Sequence, residues 1–156
     1  MEGNIMPDLP TKTPWHLWVV GVLSLLWNAV GANDYTQTQL RNTDYIKAGV
    51  EPMGIDFQTA LTYFEGFPAW AEAFWAIGVW GAVAGSLLLL FRSRFALHVF
   101  GASFLGLVVT TFYQFGNPIP GDYDRTIPTI FTAILWIIAI GLILYARRQT
   151  AAGVLR

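Results

Sequence analysis

The sequence predicts an all-α protein: a four-transmembrane-helix bundle with a short extracytoplasmic helical cap and both termini in the cytoplasm. The chain is 54% hydrophobic and only 12% charged, whereas soluble domains carry about 25% charged residues. Long apolar stretches occupy residues 15–33, 67–91, 95–115 and 127–146. Each stretch has the length that a spanning helix needs, about 17–25 residues.

Residues 1–14 contain three prolines among polar residues, which predicts a cytoplasmic arm with little regular structure. The first span follows at 15–33. It lacks a convincing cleavage pattern after its apolar run, so we read it as a retained helix and not as a signal peptide. Nothing breaks the helical pattern before Gly49, and we expect this helix to continue beyond the membrane to about Ala48.

The segment 34–66 is expected to form the cap. Within it, Asp56–Glu65 places apolar residues at the spacing of one helical face. The members of this stripe are Phe57, Ala60, Leu61 and Phe64. Asp56 is a suitable N-cap and Gly66 a suitable stop, which predicts a short amphipathic helix over the mouth of the bundle.

Small residues recur along one face of each of the first three spans, and these faces predict how the helices pack. The positions are Gly21, Ser24, Asn28 and Gly31 in the first span, Gly78, Gly81 and Gly85 in the second, and Ser103, Gly106 and Thr110 in the third. Close approach through small residues is the usual mode of helix association in lipid. The fourth span begins with Thr126 as cap and Pro128 in its first turn, and Gly141 is its main small residue. We therefore expect spans one to three to form the tight core, with span four covering it or facing another subunit.

Charge predicts the orientation. Six of the nine cations fall on the side of the termini, namely Lys12, Arg92, Arg94, Arg147, Arg148 and Arg156. Positive residues beside span ends favour the cytoplasm. Both termini, including the tail 149–156, are therefore expected inside, with residues 15–148 forming one membrane domain.

The polar end of the first span suggests a ligand site. Asn28, Asp34, Tyr35 and Gln39 follow one another along this helix, and Tyr113 ends span three at the same depth. Such groups could converge on a pocket near the outer mouth, since ligand sites combine apolar walls with a few polar groups. Two simpler explanations stay open: Asn28 as an interhelical hydrogen-bonding residue, and the others as interfacial residues.

Glu72 is the one acid inside a predicted span, and two interpretations of it stay open. It can be a ligand-binding carboxylate, or an acid stabilised by the helix N-terminus. His16 and His98 lie near the cytoplasmic ends of spans one and three, where two histidines could hold a haem. They can equally be ordinary interfacial residues.

Several function classes receive no support from the sequence. The chain has no cysteine and a net charge of −1, so thiolate chemistry is excluded and nucleic-acid binding is not indicated. No nucleophile elbow, phosphate loop, dinucleotide fingerprint or zinc-protease motif occurs. We therefore expect no enzyme activity, no catalytic residue, no metal site and no cofactor.

Three stretches resemble a group of small bacterial inner-membrane proteins with four helices, which are commonly labelled as sugar transporters. These are LWNAVGANDYTQTQ, YFEGFPAWAEAFWAIGVWGAVAGSLLLLFRSRFA and GLVVTTFYQFG. The resemblance implies a bacterial inner-membrane protein and brings no catalytic residues. The best-matching positions are Trp27, Asn28, Gly31, Asp34, Tyr35, Thr38, Gln39, Phe67, Pro68, Trp70 and Trp80.

Together these observations favour an oligomeric carrier or binder of a small, sugar-like solute, surrounded by membrane lipids. Four helices rarely enclose a transport path alone, so we expect a homo-oligomer or a partner membrane subunit. The alternative is a non-catalytic accessory or assembly subunit of a larger membrane complex. A haem or quinone redox protein built on His16 and His98 is a third hypothesis.

Overall fold

The computed structural model describes residues 12–156, and this part of the chain is entirely helical apart from turns and loops. Its α-helices are α1 (Trp15–Gln39), α2 (Thr43–Val50), α3 (Phe57–Glu65), α4 (Ala69–Leu90), α5 (Phe95–Gly116) and α6 (Thr126–Ala151), with a 3-10 turn at Glu51–Met53. Within these residues α1, α4, α5 and α6 are each long and apolar enough to cross a membrane. The prediction of an all-α chain with four candidate spans is confirmed. Most of the predicted N-terminal arm, 1–11 of 1–14, lies outside the described residues.

The four long helices pack in the order α1, α4, α5, α6, so that α4 and α5 form the centre. One end of the bundle holds the start of α1, the turn at 91–94 and the C-terminal segment 152–156, and we call it the tail end. The opposite end holds α2 and α3 above the long helices, together with the loop between α5 and α6, and we call it the cap end.

The tightest packing joins α4 to α5. A Cβ atom added to Gly106 would lie 2.5 Å from the backbone nitrogen of Gly78 and from the carbonyl oxygen of Phe74. A Cβ atom added to Gly81 would lie 3.0 Å from the Ser103 Cβ. Ser103 also donates its hydroxyl hydrogen to the Gly78 carbonyl oxygen. The two backbones therefore touch through small residues, as the sequence pattern predicts.

The contact between α1 and α4 uses a polar residue. The Asn28 amide nitrogen donates to the carbonyl oxygen of Ala82 at 3.2 Å and to the Ser86 hydroxyl at 3.0 Å. Ser86 is fully buried. Because lipid offers no competing hydrogen bonds, such bonds hold membrane helices together. The interpretation of Asn28 as an interhelical hydrogen-bonding residue is confirmed.

Helix α6 is attached more loosely than the other long helices. Of its 26 residues only Leu142 and Ala146 are buried. Beyond its end, Val154 and Leu155 are buried with Leu142 in a cluster at the tail end. This agrees with the expectation that the fourth span lies outside a tighter core of three.

The C-terminal segment is fastened to the turn between α4 and α5. The Arg94 backbone nitrogen donates to the Arg156 carbonyl oxygen at 2.9 Å, and the Arg156 nitrogen donates to the Arg92 oxygen at 2.8 Å. Arg92 has a positive φ of 59°. The tail end is thus closed by main-chain hydrogen bonds as well as by apolar packing.

The prediction that the first helix continues to about Ala48 is wrong. Helix α1 ends at Gln39, and the chain turns through Arg41, which has a positive φ of 52°. The Asn42 side chain then accepts a hydrogen bond from the Tyr45 nitrogen at 3.2 Å and starts α2. An Asn that caps a new helix competes with continuation of the old one, and this local effect is stronger here than the continuous helical pattern.

The caps of α3 and α6 differ in how well they were predicted. Asp56 caps α3 as expected, because its carboxylate accepts from the Thr59 nitrogen at 3.0 Å. The role given to Thr126 is wrong, since α6 begins at Thr126 itself. Asp124, two residues earlier, accepts from the Thr126 nitrogen at 2.8 Å.

Candidate functional site

A cavity of about 560 Å³ lies among the four long helices and below α2, and we call it the main cavity. Cavities that bind small molecules in proteins span about 300–1,000 Å³. Toward the tail end the main cavity stops at Phe100, Ile138 and Leu142, of which Phe100 and Leu142 belong to the buried tail-end cluster. The cavity therefore begins in the apolar middle of the bundle and extends to the cap.

The walls are mainly apolar, and hydrogen-bonding groups lie among them. Thr110 is 6% exposed and lines the main cavity. Its hydroxyl has no hydrogen-bond partner among the described residues. Asn28 and Thr132 also contribute to the wall. Because the Thr110 oxygen is itself buried, a ligand in the cavity cannot reach it, and the accessible polar groups come from other wall residues.

The cap closes the main cavity through α2. Ile46 and Val50 line the cavity and are buried in the cap, whose apolar cluster also contains Phe57. The Tyr45 hydroxyl donates to the Asp34 carboxylate at 3.0 Å, which ties α2 to α1 at the cavity edge. Burial, and next the negative charge of Asp34, raise the pKa of Tyr45 above its ordinary value. Tyr45 therefore stays a hydrogen-bond donor at neutral pH.

The structure divides the six candidate ligand residues into two groups. Asn28 and Asp34 line the main cavity, whereas Tyr35, Gln39, Glu72 and Tyr113 do not. Glu72 lies in the first turn of α4. The single pocket expected from the sequence is therefore only partly assembled from these residues.

The two tyrosines of the second group belong to an aromatic cluster beside the cavity. The Tyr35 ring meets the Trp75 ring edge-on at 5.0 Å between centroids. Tyr113 meets Phe67 at 4.9 Å and Trp70 at 5.3 Å. Edge-to-face pairs of this kind stabilise packing, so these tyrosines join α1 and α5 to α4 and to the chain before it.

Several cavity residues were missed from the sequence. Tyr45 and Ile46 reach the cavity only because the chain reverses after α1, and the turn at Arg41 was not predicted. Ser103 and Thr110 were both predicted to be small residues of a helix-packing face. This role fits Ser103, which bonds to the Gly78 carbonyl oxygen, but it does not account for the hydroxyl of Thr110, which has no partner among the described residues. A threonine among helix-packing residues carries no separate signal that marks it as part of a cavity wall.

A smaller cavity of about 270 Å³ lies between the cap and the loop that joins α5 to α6. It is lined by Tyr63 and Ile55 on the cap side and by Ile119, Tyr123 and Arg125 on the loop side. Burial, and next the neighbouring Tyr113 and Tyr123, raise the pKa of Tyr63 to about 12. Val50, Met53, Phe64, Thr111, Gln114, Pro128 and Thr132 line both cavities and form a partition between them.

The two histidines lie away from both cavities. His16 Nδ1 is 2.6 Å from the Tyr145 hydroxyl, in a contact between α1 and α6 at the tail end. His98 is exposed, and its ring is near Phe95 of its own helix. Neither side chain lines a described cavity. The structure gives His16 a helix-packing contact with Tyr145, whereas His98 lies against Phe95, so the described contacts do not bring the two histidines together.

Comparison with known proteins returns no match from protein-family models, from curated proteins or from solved structures. The geometry of the two cavities is therefore the basis for a functional conclusion.

Proposed function

We propose that this chain is an integral membrane protein that binds a small molecule in the main cavity, as a carrier or as a binding protein. The observation that supports it is the cavity itself, about 560 Å³ in size with Asn28 and Asp34 in its wall. Helix bundles commonly place ligand sites between facing helices. Neither transport nor an oligomeric state is needed for the binding part of this proposal.

The cavity suits an amphipathic molecule better than a sugar. Phe100, Leu135 and Ile138 line its inner half, where sugar hydroxyls would be buried without partners. An unpaired buried hydroxyl costs roughly 1–3 kcal/mol by mutational data. The sugar-like solute expected from the sequence is therefore replaced in our proposal by a molecule with an apolar body and a polar end.

A cavity-filling substitution tests this proposal. Gly31 lines the main cavity, and a Cβ atom added there meets nothing within 4 Å. Gly31→Phe should fill part of the cavity without disturbing helix packing. Gly101→Phe is the matched control, because Gly101 also has open space around it but lies outside both cavities.

The measurement is native mass spectrometry of protein extracted gently from its own membrane. We expect the unsubstituted protein and Gly101→Phe to carry the same small molecule, and Gly31→Phe to have lost it. A protein free of any bound small molecule, or equal occupancy in both variants, would contradict the proposal. The same spectra report the oligomeric state and any stoichiometric foreign subunit.

The exposed surface of α6 supports a second candidate function, an accessory subunit of a larger membrane complex. Ile137 is 70% exposed and Leu144 is 53% exposed on this helix, and Gly141 has no neighbour within 4 Å of an added Cβ. Under this hypothesis Gly141→Leu should abolish co-purification of a partner subunit, whereas Gly101→Leu should not. A protein that purifies with no partner would contradict it.

The charge distribution supports a location in the bacterial inner membrane with the tail end in the cytoplasm. Arg92 and Arg94 lie in or beside one turn there, and Arg147 and Arg148 lie near the end of α6. Cations beside span ends favour the cytoplasmic side. Labelling of introduced cysteines at Arg148 and at Asp44 by a membrane-impermeant maleimide would test this: only the second should react in intact cells.

A further inference from the structure

Three of the four walls of the main cavity are closed by contacts between neighbouring helices. Helices α4 and α5 touch through Gly78 and Gly106, and α1 is bonded to α4 through Asn28. Helices α5 and α6 are joined because Trp136 Nε1 donates to the Thr111 hydroxyl at 3.3 Å.

The fourth wall, between α1 and α6, is different. At the tail end it is closed, since Leu17 is buried in one cluster with Leu142. Farther toward the cap the two backbones pack much less closely than those of α1 and α4. There the Trp27 and Phe131 rings lie 6.3 Å apart between centroids, at an angle of 41°. We call this stretch, with Trp27 and Val30 on one side and Phe131 on the other, the α1–α6 seam.

The residues of the seam line the cavity and also lie on the outer surface. Val30 is 68% exposed and Phe131 is 52% exposed, and both belong to the cavity wall. Both lie within the apolar stretches that reach across the membrane. In a bilayer the surface at this depth would face lipid, so the seam is the part of the wall that lies between the cavity and the hydrocarbon region.

The charge of the cavity wall restricts the polar end of a ligand. Asp34 is the one charged residue among the described residues that line the main cavity, and no lysine or arginine lines it. A phosphate or carboxylate head would therefore have no cation to pair with, and burying an unpaired charge is very unfavourable. A head without negative charge can instead bond to neutral polar side chains of the wall, such as those of Asn28 and Thr132.

We propose that the ligand of the main cavity is a membrane-dissolved molecule with a long apolar body and a hydrogen-bonding head that carries no negative charge, which enters sideways through the α1–α6 seam. This inference rests on the proposed function, because it specifies the ligand and the route for the same cavity. The rival route leads from water through the smaller cavity. That route would have to pass between the residues that line both cavities, where Val50 is buried and Phe64 is packed against Trp75 at 6.0 Å between ring centroids.

The experiment uses the full chain in liposomes and two photoreactive probes. One is hexadecanol with a diazirine on its chain, and the other is a water-soluble glucoside with the same diazirine. Adducts are mapped by peptide mass spectrometry. We expect the alcohol to label the wall of the main cavity near Leu135 and Thr110, and Gly31→Phe to reduce this labelling several-fold while Gly101→Phe leaves it unchanged.

Two reducible cross-links then separate the routes. The chain has no natural cysteine, so Val30→Cys with Phe131→Cys can be linked across the seam. Met53→Cys with Ile119→Cys can be linked across the smaller cavity, which both residues line. Labelling by the alcohol should be lost when the seam is linked, return when the link is reduced, and persist when the smaller cavity is linked.

The outcomes distinguish failure of this inference from failure of the proposed function. Labelling of the main cavity by the glucoside that is lost on linking the smaller cavity would overturn the lipid route but retain a ligand site. Alcohol labelling that persists with the seam linked would overturn the route in the same way. If neither probe labels the cavity wall and no molecule co-purifies, both this inference and the proposed function fail.

Discussion

The α4–α5 interface and the α1–α6 seam lie on opposite sides of the main cavity, and they are built from opposite kinds of residue. At the first, Gly106 approaches the backbone of Gly78 so closely that no side chain fits. At the second, the large rings of Trp27 and Phe131 meet across helices whose backbones are apart. Close backbone packing makes a rigid wall, whereas a few ring contacts leave a wall that can open without breaking backbone contacts.

The largest loss of stability is expected when a side chain is added at the rigid wall between α4 and α5. Gly106→Val should lower the free energy of unfolding by about 3 kcal/mol, because overpacking a close contact costs roughly 1–3 kcal/mol and the neighbouring atoms here are backbone. Reversible unfolding in mixed micelles measures it. Gly101→Val on the same helix has open space and should change the free energy by less than about 0.5 kcal/mol. Equal losses of unfolding free energy in the two variants would show that the α4–α5 contact tolerates a side chain as well as an open position does.

The next effect concerns the bond between α1 and α4. Asn28→Ala should lower the free energy of unfolding by about 1 kcal/mol, because interhelical hydrogen bonds in membranes contribute roughly 0.6–2 kcal/mol. Asn33→Ala is the control on the same helix, since Asn33 is exposed and its contacts, a long 3.4 Å bond from Gln37 and a hydrogen bond with Tyr45, do not involve α4. If Asn28→Ala proved as harmless as Asn33→Ala, the bonds to Ala82 and Ser86 would not hold the helices together.

The seam itself should show a smaller coupling. A double-mutant cycle with Trp27→Leu and Phe131→Leu should give an interaction energy of about 0.5 kcal/mol, at the low end for aromatic pairs, because the rings are tilted and 6.3 Å apart. The readout is again the free energy of unfolding. A coupling above that of the Asn28 bonds would mean that the seam is closed as firmly as the other walls, and would count against sideways entry.

The smallest effect is a pH dependence at the start of α6. The backbone hydrogen bond from Thr126 lowers the pKa of the Asp124 carboxyl below its ordinary value. A lowered pKa in the folded state stabilises the fold above the unfolded pKa of about 3.9, and this contribution is lost as the pH falls through the folded pKa. The protection of the Thr126 amide, which is the slowing of its hydrogen exchange relative to the intrinsic rate at the same pH, should therefore fall below about pH 4. Asp124→Asn should remove the pH dependence, and Asp122→Asn should leave it.

The sequence was sufficient to predict the long helices because their signal is local and strong. Length and apolar composition define each span, and small residues on one face of each of the first three spans predicted that these spans form the tight core. The same local reasoning failed at Arg41, where the chain reverses before the Asn42 cap and where Arg41 forms an exposed ion pair with Glu65, 2.9 Å apart. That ion pair joins residues far apart in the sequence, and no repeating pattern of residues predicts it.

The candidate site was harder to predict for the same reason. Asn28 and Asp34 both line the main cavity, and their role in binding a ligand stays a prediction. Tyr35 and Tyr113 were expected beside them, but their rings are held by Trp75 and Phe67 in aromatic contacts. Whether a tyrosine at the membrane interface faces a cavity or a neighbouring ring depends on the third helix, which spacing along one helix cannot reveal.

The absence of room beside Gly106 has an evolutionary consequence. Descendants of this chain can keep the α4–α5 pair only by keeping glycine there, because every other residue adds at least the Cβ atom that the Gly78 backbone excludes. Leu135 and Ile138 on the opposite wall face empty volume, so they can change size while the bundle stays intact. Selection could thus alter what the cavity accepts through α6 alone, and a set of diverged sequences should show fixed glycines on one wall and variable side chains on the other.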